Sequence, residues 1–506
     1  MDKLEWTVLL LLSFVPLAWS VFEAVHLPYM SKHLTSNYGV SANAVAWLFA
    51  IYSLMTVVLG APVGYLLDHP KISRMLLLSG GTLALTLSTV FFGLSEHSLW
   101  QLFVSRSLQG AAYAFAGGAT YACAAEWFPQ DATRVLGVLE LSSGIGYMIG
   151  PVVGGNVYTH AGDSFVWPYM AVSAATLVLI LPVFFALHVL KKRLLERRCT
   201  ASEETRSIGS IANSHEVEGE QEGEVEVEGP SINNHDEDDL TSTLLPSQAE
   251  AEEKPAVSLW SPSMLLTAVM ALLAAFTLAA FLPFISHQLE WLLDASEDTV
   301  GWALMVQALS YSLFAPLVSD VMLGRLGLSL PMCLSVGGLV FSAGTLCATP
   351  SPVLVAALGG QSNLKRGWTW FVVLLGHLLQ GIGQAPMIVC VLPLMLRLMA
   401  PKNTTDGDGV EVFTEDDQES QTTAKSEKES DDNSGKVSSL FNAAYNAGKV
   451  FGPILGALLV GDIASGDDAV FESSPGDRLG FAWTMTLLAG ITILLSVLFP
   501  FTVRVR

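Results

Sequence analysis

The sequence predicts an all-α integral membrane protein, with twelve transmembrane helices arranged as two six-helix bundles. Three observations lead there. Only 14% of the 506 residues are Asp, Glu, Lys or Arg and mean hydropathy is +0.48, a balance that suits hydrocarbon rather than water as the solvent. Apolar windows of about 20 residues, the length that crosses roughly 30 Å of hydrocarbon, recur along the chain. Finally, short motifs of the first half return in the same order in the second.

Apolar windows and turn residues predict spans near 6–30, 42–67, 75–95, 99–125, 133–158, 165–190, 261–286, 298–322, 327–348, 369–398, 437–462 and 478–502. The first window is longer than the apolar core of a signal peptide and reads as a span. These windows define an N-terminal bundle over 1–190, an acidic linker over 191–260 and a C-terminal bundle over 261–506. The linker and the insertion 399–436 are read as disordered. The net charge of −22 sits largely in these two segments, with 16 of the 47 acidic residues between Glu203 and Glu253 and 11 between Asp406 and Asp432. Such polar, Ser- and Glu-rich stretches bury too little apolar surface to fold alone.

Lys and Arg near span ends set orientation. Lys71, Arg74, Arg134, the run Lys191–Arg198, Arg325, Arg397, Lys402, Arg504 and Arg506 share one side, which places both termini and both acidic segments in the cytoplasm. Lys32, Lys365, Arg366 and Arg478 are the minority on the other. The sequon at Asn403 then lies on the unglycosylated side. The five cysteines, Cys123, Cys199, Cys333, Cys347 and Cys390, show no close pairing, so neither a disulfide framework nor a zinc site is expected. Cys199, after a basic run, is a candidate for palmitoylation. Leu244-Leu245 behind the acidic run Asp236–Asp239 hints at endosomal sorting.

The repeat is explicit. Leu27-Pro28-Tyr29 and Trp47 return as Leu282-Pro283-Phe284 and Trp302 at an offset of 255 residues. Leu108-Gln109-Gly110 returns as Leu379-Gln380-Gly381 at 271, and Gly146, Gly150, Pro151 and Gly154 return as Gly448, Gly452, Pro453 and Gly456 at 302. Parallel six-span repeats of this kind enclose a substrate site at mid-membrane, between the halves.

A charge within a span costs ~2.5–3.5 kcal/mol on insertion scales, so it faces a cavity or a partner. Glu23 and His26 share a face of span one, and burial would suit the Glu23 carboxylate to proton exchange, unless it is simply solvated at the far surface. Arg106, Gln109 and Tyr113 form a polar stripe in span four, repeated in span ten by His377, Gln380 and Gln384. Arg106 stays charged at any accessible pH, so it either pairs with and releases a carboxylate or staples two helices. Glu140, Ser143 and Tyr147 line span five, and Asn442, Tyr445, Asn446 and Lys449 line span eleven. Lipid cannot satisfy such stripes; they face a substrate cavity or bond neighbouring helices. Glu23, Arg106 and Glu140 are the expected proton-coupling group. The cavity set is His26, Gln109, Tyr113, Tyr147, His377, Gln380, Gln384, Asn442, Tyr445, Asn446 and Lys449. Glycines 137, 146, 150, 154 and 155 allow close helix approach, with Pro151 as a bend. Gly64 and Asp68, followed by Lys71 and Arg74, form either a latch between span ends or a solvated turn.

At these residues the chain resembles the major facilitator superfamily across all twelve spans. The run Gly137 to Gly155 looks like the span-five motif of drug:proton antiporters, and Arg106-xx-Gln109-Gly110 resembles their span-four motif, whose arginine is implicated in proton coupling. Gly64-x-Leu66-x-Asp68 resembles the loop-two signature but departs after Asp68, with Lys71 where a glycine is usual. The segment ending Leu27-Pro28-Tyr29, and Phe441-Asn442 with Gly452-Pro453, are similar to the vesicular amine transporter branch. The resemblance implies export of a cation or drug against protons.

The expectation is therefore a secondary transporter, in which residues 1–190 and 261–506 alternate access for a drug or amine-like molecule against protons. A gradient-independent facilitator of a polar solute and a non-transporting sensor are the alternatives. Expected partners are the substrate, protons and the lipid bilayer, with no nucleic acid, cofactor or metal, and the chain is expected to be a monomer in the plasma membrane or a vacuolar or vesicular membrane. No Gly-x4-Gly-Lys-Ser/Thr phosphate loop is present and no enzyme activity is expected.

Overall fold

The computed structural model describes residues 3–69, 71–128, 132–218, 260–351, 366–399, 437, 440–458 and 475–503 of the chain. The first half contains α1 (Lys3–Leu12), α2 (Phe14–Ala24), α3 (Met30–Tyr38), α4 (Ala42–Asp68), α5 (Arg74–Leu94), α6 (Leu99–Trp127), α7 (Ala132–His160) and α8 (Val166–Glu218). The second contains α9 (Pro262–Phe281), α10 (Ile285–Leu293), α11 (Glu297–Phe314), a π-helical turn over Val318–Arg325, α12 (Leu330–Ala348), α13 (Arg366–Val389), α14 (Val391–Met399), α15 (440–458) and α16 (Pro475–Thr502).

Serines start several of these helices by satisfying free backbone donors. Ser41 accepts from the Ala44 amide at 3.3 Å and Ser261 from the Met264 amide at 3.3 Å. Prolines divide others, because each removes an amide donor and crowds the carbonyl four residues back. Pro16 lies beside the α1/α2 break, Pro28 and Pro283 beside the repeated breaks α2/α3 and α9/α10, Pro316 before the π turn, and Pro393 beside the α13/α14 break. The windows 6–30, 261–286, 298–322 and 369–398 are therefore each interrupted rather than continuous.

Among the described residues nine helical stretches are long and apolar enough to cross a membrane. The remaining predicted windows, 99–125, 298–322 and 437–462, hold α6, α11 and α15, which carry Arg106, Gln307 and Lys449 among other polar groups. Helix α8 continues beyond the window end at 190 to Glu218. The rest of the linker, including Leu244-Leu245, lies outside the described residues, as do the insertion 400–436 with Lys402 and Asn403, Lys365, Arg504 and Arg506. So do the side chains of Asp68, Arg134, Arg198, Cys199, Arg366 and Arg478.

Packing divides the molecule in two. One buried cluster runs from Val8 to Leu194, centred on Trp19, Phe92 and Trp127, and a second from Met264 to Val503, centred on Phe341, Leu394 and Phe499. A third joins Ala24, Leu27 and Ala46 of the first half to Phe281, Phe284, Leu304 and Phe481 of the second. It lies at the end carrying α3 and α10, here called the far end; the α4–α5 loop marks the opposite, loop end. The glycine repeat works in three dimensions. A Cβ on Gly146, Gly150 or Gly154 would meet α2 backbone or side-chain atoms between Leu17 and Val25, and one on Gly448, Gly452 or Gly456 would meet α9 between Leu272 and Ala280. Gly144 and Gly155 of α7, and Gly301 of α11, bring those two helices together across the halves, Gly301 against the Pro151 carbonyl. Gly137 has open space around it and takes no part in this packing.

A bulky side chain at Gly154 or Gly452 forces apart helices that meet backbone to backbone, at a cost of about 1–3 kcal/mol or more. Thermal unfolding in detergent micelles is expected to show Gly154→Leu and Gly452→Leu destabilised by several degrees, with Gly137→Leu melting like the parent.

Candidate functional site

The polar side chains of the helical interior fall into separate groups. Arg106 on α6 is 2% exposed and is held by neutral partners only among the described residues. It donates to Gln109 Oε1 at 2.8 Å, to His26 Nε2 at 3.0 Å and to the Leu48 carbonyl at 3.4 Å, and its guanidinium lies 4.8 Å from the Tyr52 ring centroid. A guanidinium only donates, so Nε2 of His26 is the acceptor and the imidazole is neutral with its proton on Nδ1. Gln109 passes the network on to Thr89 Oγ1 at 3.1 Å. His26, packed against Phe49, is thus fully buried beside Arg106.

Glu23, three residues earlier and near the end of α2, points elsewhere. Its carboxylate accepts from Lys449 Nζ of α15 at 2.5 Å, with side-chain exposures of 13% and 23%. Tyr147 of α7 lies near the same carboxylate, and Tyr445 lies one helical turn before Lys449, its ring 6.0 Å from the ammonium. This contact joins α2 of the first half to α15 of the second. Ser20 and Ser143 bond at 2.7 Å close by, between α2 and α7.

Glu140 is nearer the loop end. It is exposed and accepts from Tyr121 at 2.9 Å; among the described residues it has no ion-pair partner. Around it Tyr113, Tyr311 and Tyr445 lie close enough to feel its charge. Trp19 packs edge-on against Tyr113 at 5.2 Å and near Tyr121 at 6.2 Å. Asn442 is exposed on α15, and Asn446 donates back to the Asn442 carbonyl at 2.9 Å. An acid with tyrosines of both halves nearby attracts a cation by its charge, and aromatic rings can add a quadrupole contribution.

The second half repeats the Arg106 arrangement without its charge. His377 stands where Arg106 does, and Phe281 stands 255 residues after His26 with its ring 5.7 Å from His377. Gln380 donates to Thr345 Oγ1 at 3.3 Å, as Gln109 does to Thr89. His377 and Gln380 are wholly buried, and Gln384 is half-buried one turn further along α13.

Both ends carry further polar contacts. At the loop end Arg74 donates to the Leu67 carbonyl at 3.3 Å and pairs with Glu126 at 3.1 Å, tying the ends of α4 and α6, while Gly64 faces open space. At the far end Lys32 of α3 lies 2.8 Å from Glu290 and 2.6 Å from Glu297 of the second half. Ser286 donates to the Pro28 carbonyl at 2.6 Å, and Thr35 meets His287 at 3.2 Å. His33, the next residue of α3, pairs with Glu96 at 2.8 Å and so anchors α3 to the first half. Burial lowers the Lys32 pKa, but its bonds to the two carboxylates outweigh this and hold the ammonium above its ordinary value. Burial and then the Lys32 charge push the His287 imidazole down to about 4.

The expected coupling group of Glu23, Arg106 and Glu140 is thus three neighbouring arrangements, with Glu23 joined to Lys449 instead. Sequence reasoning missed Trp19, Tyr52, Tyr121 and Tyr311, as well as the Lys32 clamp. Tyr121 lies a helical turn or two beyond Tyr113 on the same helix and was the one with a legible signal.

The Glu23–Lys449 pair is desolvated more than a surface pair and less than a fully buried one, between the ~1 kcal/mol of the first and the ~3–5 kcal/mol lost when one partner of the second is removed. Glu23→Gln and Lys449→Met are each expected to lower the detergent melting temperature, and the double variant to recover part of the loss. Additive losses in that thermal cycle would mean that the two groups do not interact.

Comparison with known proteins agrees with this architecture. The profile described as Major Facilitator Superfamily matches residues 8–292 and 264–506. A choline/ethanolamine transporter of Felis catus is 29% identical over 155 residues, 29% of this chain and 27% of its own. The methyl viologen resistance protein SmvA of Salmonella typhimurium is 24% identical over 349 residues, 66% of each chain. A vesicular acetylcholine transporter of Homo sapiens is 28% identical over 162 residues, 32% of this chain and 28% of its own. The matches therefore span less than two thirds of these relatives' lengths. Among solved structures, the nucleoside transporter NupG superposes with a TM-score of 0.57 at 11% identity, over 98% of this chain and 100% of that one. A bacterial homolog of the human lysosomal transporter Spinster gives 0.57 at 12%, over 99% and 97%. With its profile matched across both halves, the chain belongs to the major facilitator superfamily and is a multi-pass integral membrane protein.

Proposed function

We propose that the chain is a secondary active transporter that exchanges a drug or amine-like organic molecule for protons, by alternating access between bundles 1–190 and 261–506. In this reading the chain crosses the bilayer twelve times and acts as a monomer, with both termini in the cytoplasm, in the plasma membrane or a vacuolar or vesicular membrane. The observation that carries the reading is the Glu23–Lys449 ion pair between the halves. A proton arriving on Glu23 cancels its attraction for Lys449 and removes a tie between α2 and α15. The far-end clamp at Lys32 then becomes the contact between the halves that opens and closes. Small interfacial shifts amplify into rocking because the packed halves each move as a body.

Glu140 and its aromatic surround supply the docking point for a cationic cargo, with Asn442, Asn446 and Gln384 as further polar contacts. Lys449 is neutralised by Glu23 and Arg106 is enclosed, so an anionic cargo has no accessible cation among the described charges of this interior. The names of the Salmonella and vesicular relatives, which refer to methyl viologen and acetylcholine, support the same choice.

Proteoliposomes holding an acidic interior are expected to accumulate labelled methyl viologen or acetylcholine, with accumulation lost when the pH gradient is collapsed. Glu23→Gln abolishes gradient-driven uptake, whereas Glu140→Gln raises the half-saturating concentration about tenfold or more. Equal flux with and without the gradient would instead indicate a facilitator, and no flux for any cation, anion or neutral solute in a panel would indicate a sensor.

A further inference from the structure

The basic end of α8 has no part in the exchange described above. Starting from Val166, 25 residues bring the helix to Lys191, a rise of about 38 Å at 1.5 Å per residue. That exceeds the roughly 30 Å of hydrocarbon and falls within the 40–45 Å that includes both headgroup layers. Trp167, exposed at the start of the helix, fits the aromatic belt of one interface. Apolarity stops at Leu190, where the basic run begins, so Lys191, Lys192, Arg193 and Arg197 gather at headgroup depth on the other side.

The local contacts give this end a built corner. Lys191 lies 5.4 Å over the ring of Trp127, the last residue of α6. The buried Trp127 indole N–H has no acceptor among the described residues. Lys192 is 75% exposed and makes a loose 3.8 Å contact to Glu196, and Arg193 and Arg197 are exposed. Five basic residues within eight positions against one acid leave an excess of positive charge where phosphate-bearing headgroups reside.

We infer that the collar formed by Lys191, Lys192, Arg193 and Arg197, with Trp127 beneath it, binds the headgroup of an anionic membrane lipid. Charge complementarity and depth select that occupant. The attraction of a juxtamembrane basic residue to an anionic leaflet corresponds to about a fivefold change in association per charge. The same collar lies directly before the acidic segment 203–253, so any phosphorylation or rearrangement there acts on its field.

The test is native mass spectrometry of the full chain in detergent, titrated with phosphatidylserine or with phosphatidylcholine of matched acyl chains. The parent is expected to retain phosphatidylserine preferentially, and Lys192→Gln with Arg193→Gln to reduce that preference by about tenfold or more. Lys192→Arg with Lys191→Arg keeps it, and 0.5 M ammonium acetate weakens it by screening. Unchanged melting of the Gln variant separates lost binding from lost fold. Equal retention of the two lipids by the parent would overturn the inference. So would preference appearing only after deletion of 219–253, which would make the acidic segment the occupant, or displacement of the lipid by millimolar inorganic phosphate, which would make this a site for free phosphate. None of these outcomes depends on whether the chain transports a solute.

Discussion

A carboxylate and an ammonium inside a bilayer protein hold each other because neither can turn to water, and in this chain one belongs to each half. Glu23 sits on α2, which the glycine motif of α7 approaches, and Lys449 sits on α15, whose own glycine motif approaches α9. Because Gly146, Gly150 and Gly154 bring α7 against α2, and Gly448, Gly452 and Gly456 bring α15 against α9, the pair forms at the meeting of two symmetric packing units. The rest of the interior is arranged about it. Arg106 is kept off Glu23 by its own neutral ligands, and Glu140 remains open with its tyrosines toward the loop end.

The symmetry is broken where function would require it. Both halves use a glutamine bonded to a threonine, Gln109 to Thr89 and Gln380 to Thr345, yet only the first half adds a permanent cation. Two related bundles with identical electrostatics would respond alike to a proton. Placing Arg106 in one and neutral His377 in the other gives the halves different responses, while the fold that carries them stays the same. The far end itself carries a second tie between the halves, the Lys32 ammonium shared between Glu290 and Glu297. Its position on α3, a helix anchored to the first half by His33 and Glu96, lets it join the halves without obstructing the interior.

Much of this was legible in the residues. Helix-length apolar windows found the helices because hydrocarbon demands that pattern, and the spaced glycines announced close approach because no other residue permits it. Lys449 could be read as paired from its chemistry alone. The identity of its partner could not, because spacing along a helix tells which residues share a face and says nothing about which helix that face meets. For that reason the residues alone group Glu23 with Arg106 and Glu140 in the first half and leave Lys449 as a contributor from the second. Aromatic residues such as Trp19 and Tyr311 were missed because a ring looks alike in sequence whether it faces lipid or a polar interior. Hydropathy also ended α8 at 190, where apolarity stops; the backbone continues to Glu218, since a helix needs only its own hydrogen bonds.

The central claim is that the Glu23–Lys449 contact holds the two bundles in the arrangement closed at the far end. Pulsed electron resonance between paired spin labels measures it directly, on a chain with Cys199→Ser, using His160→Cys with Trp368→Cys at the far end and Lys71→Cys with Leu326→Cys at the loop end. Introducing Glu23→Gln should lengthen the first distance and shorten the second. Distances that stay the same, or that change in the same direction, would contradict the account.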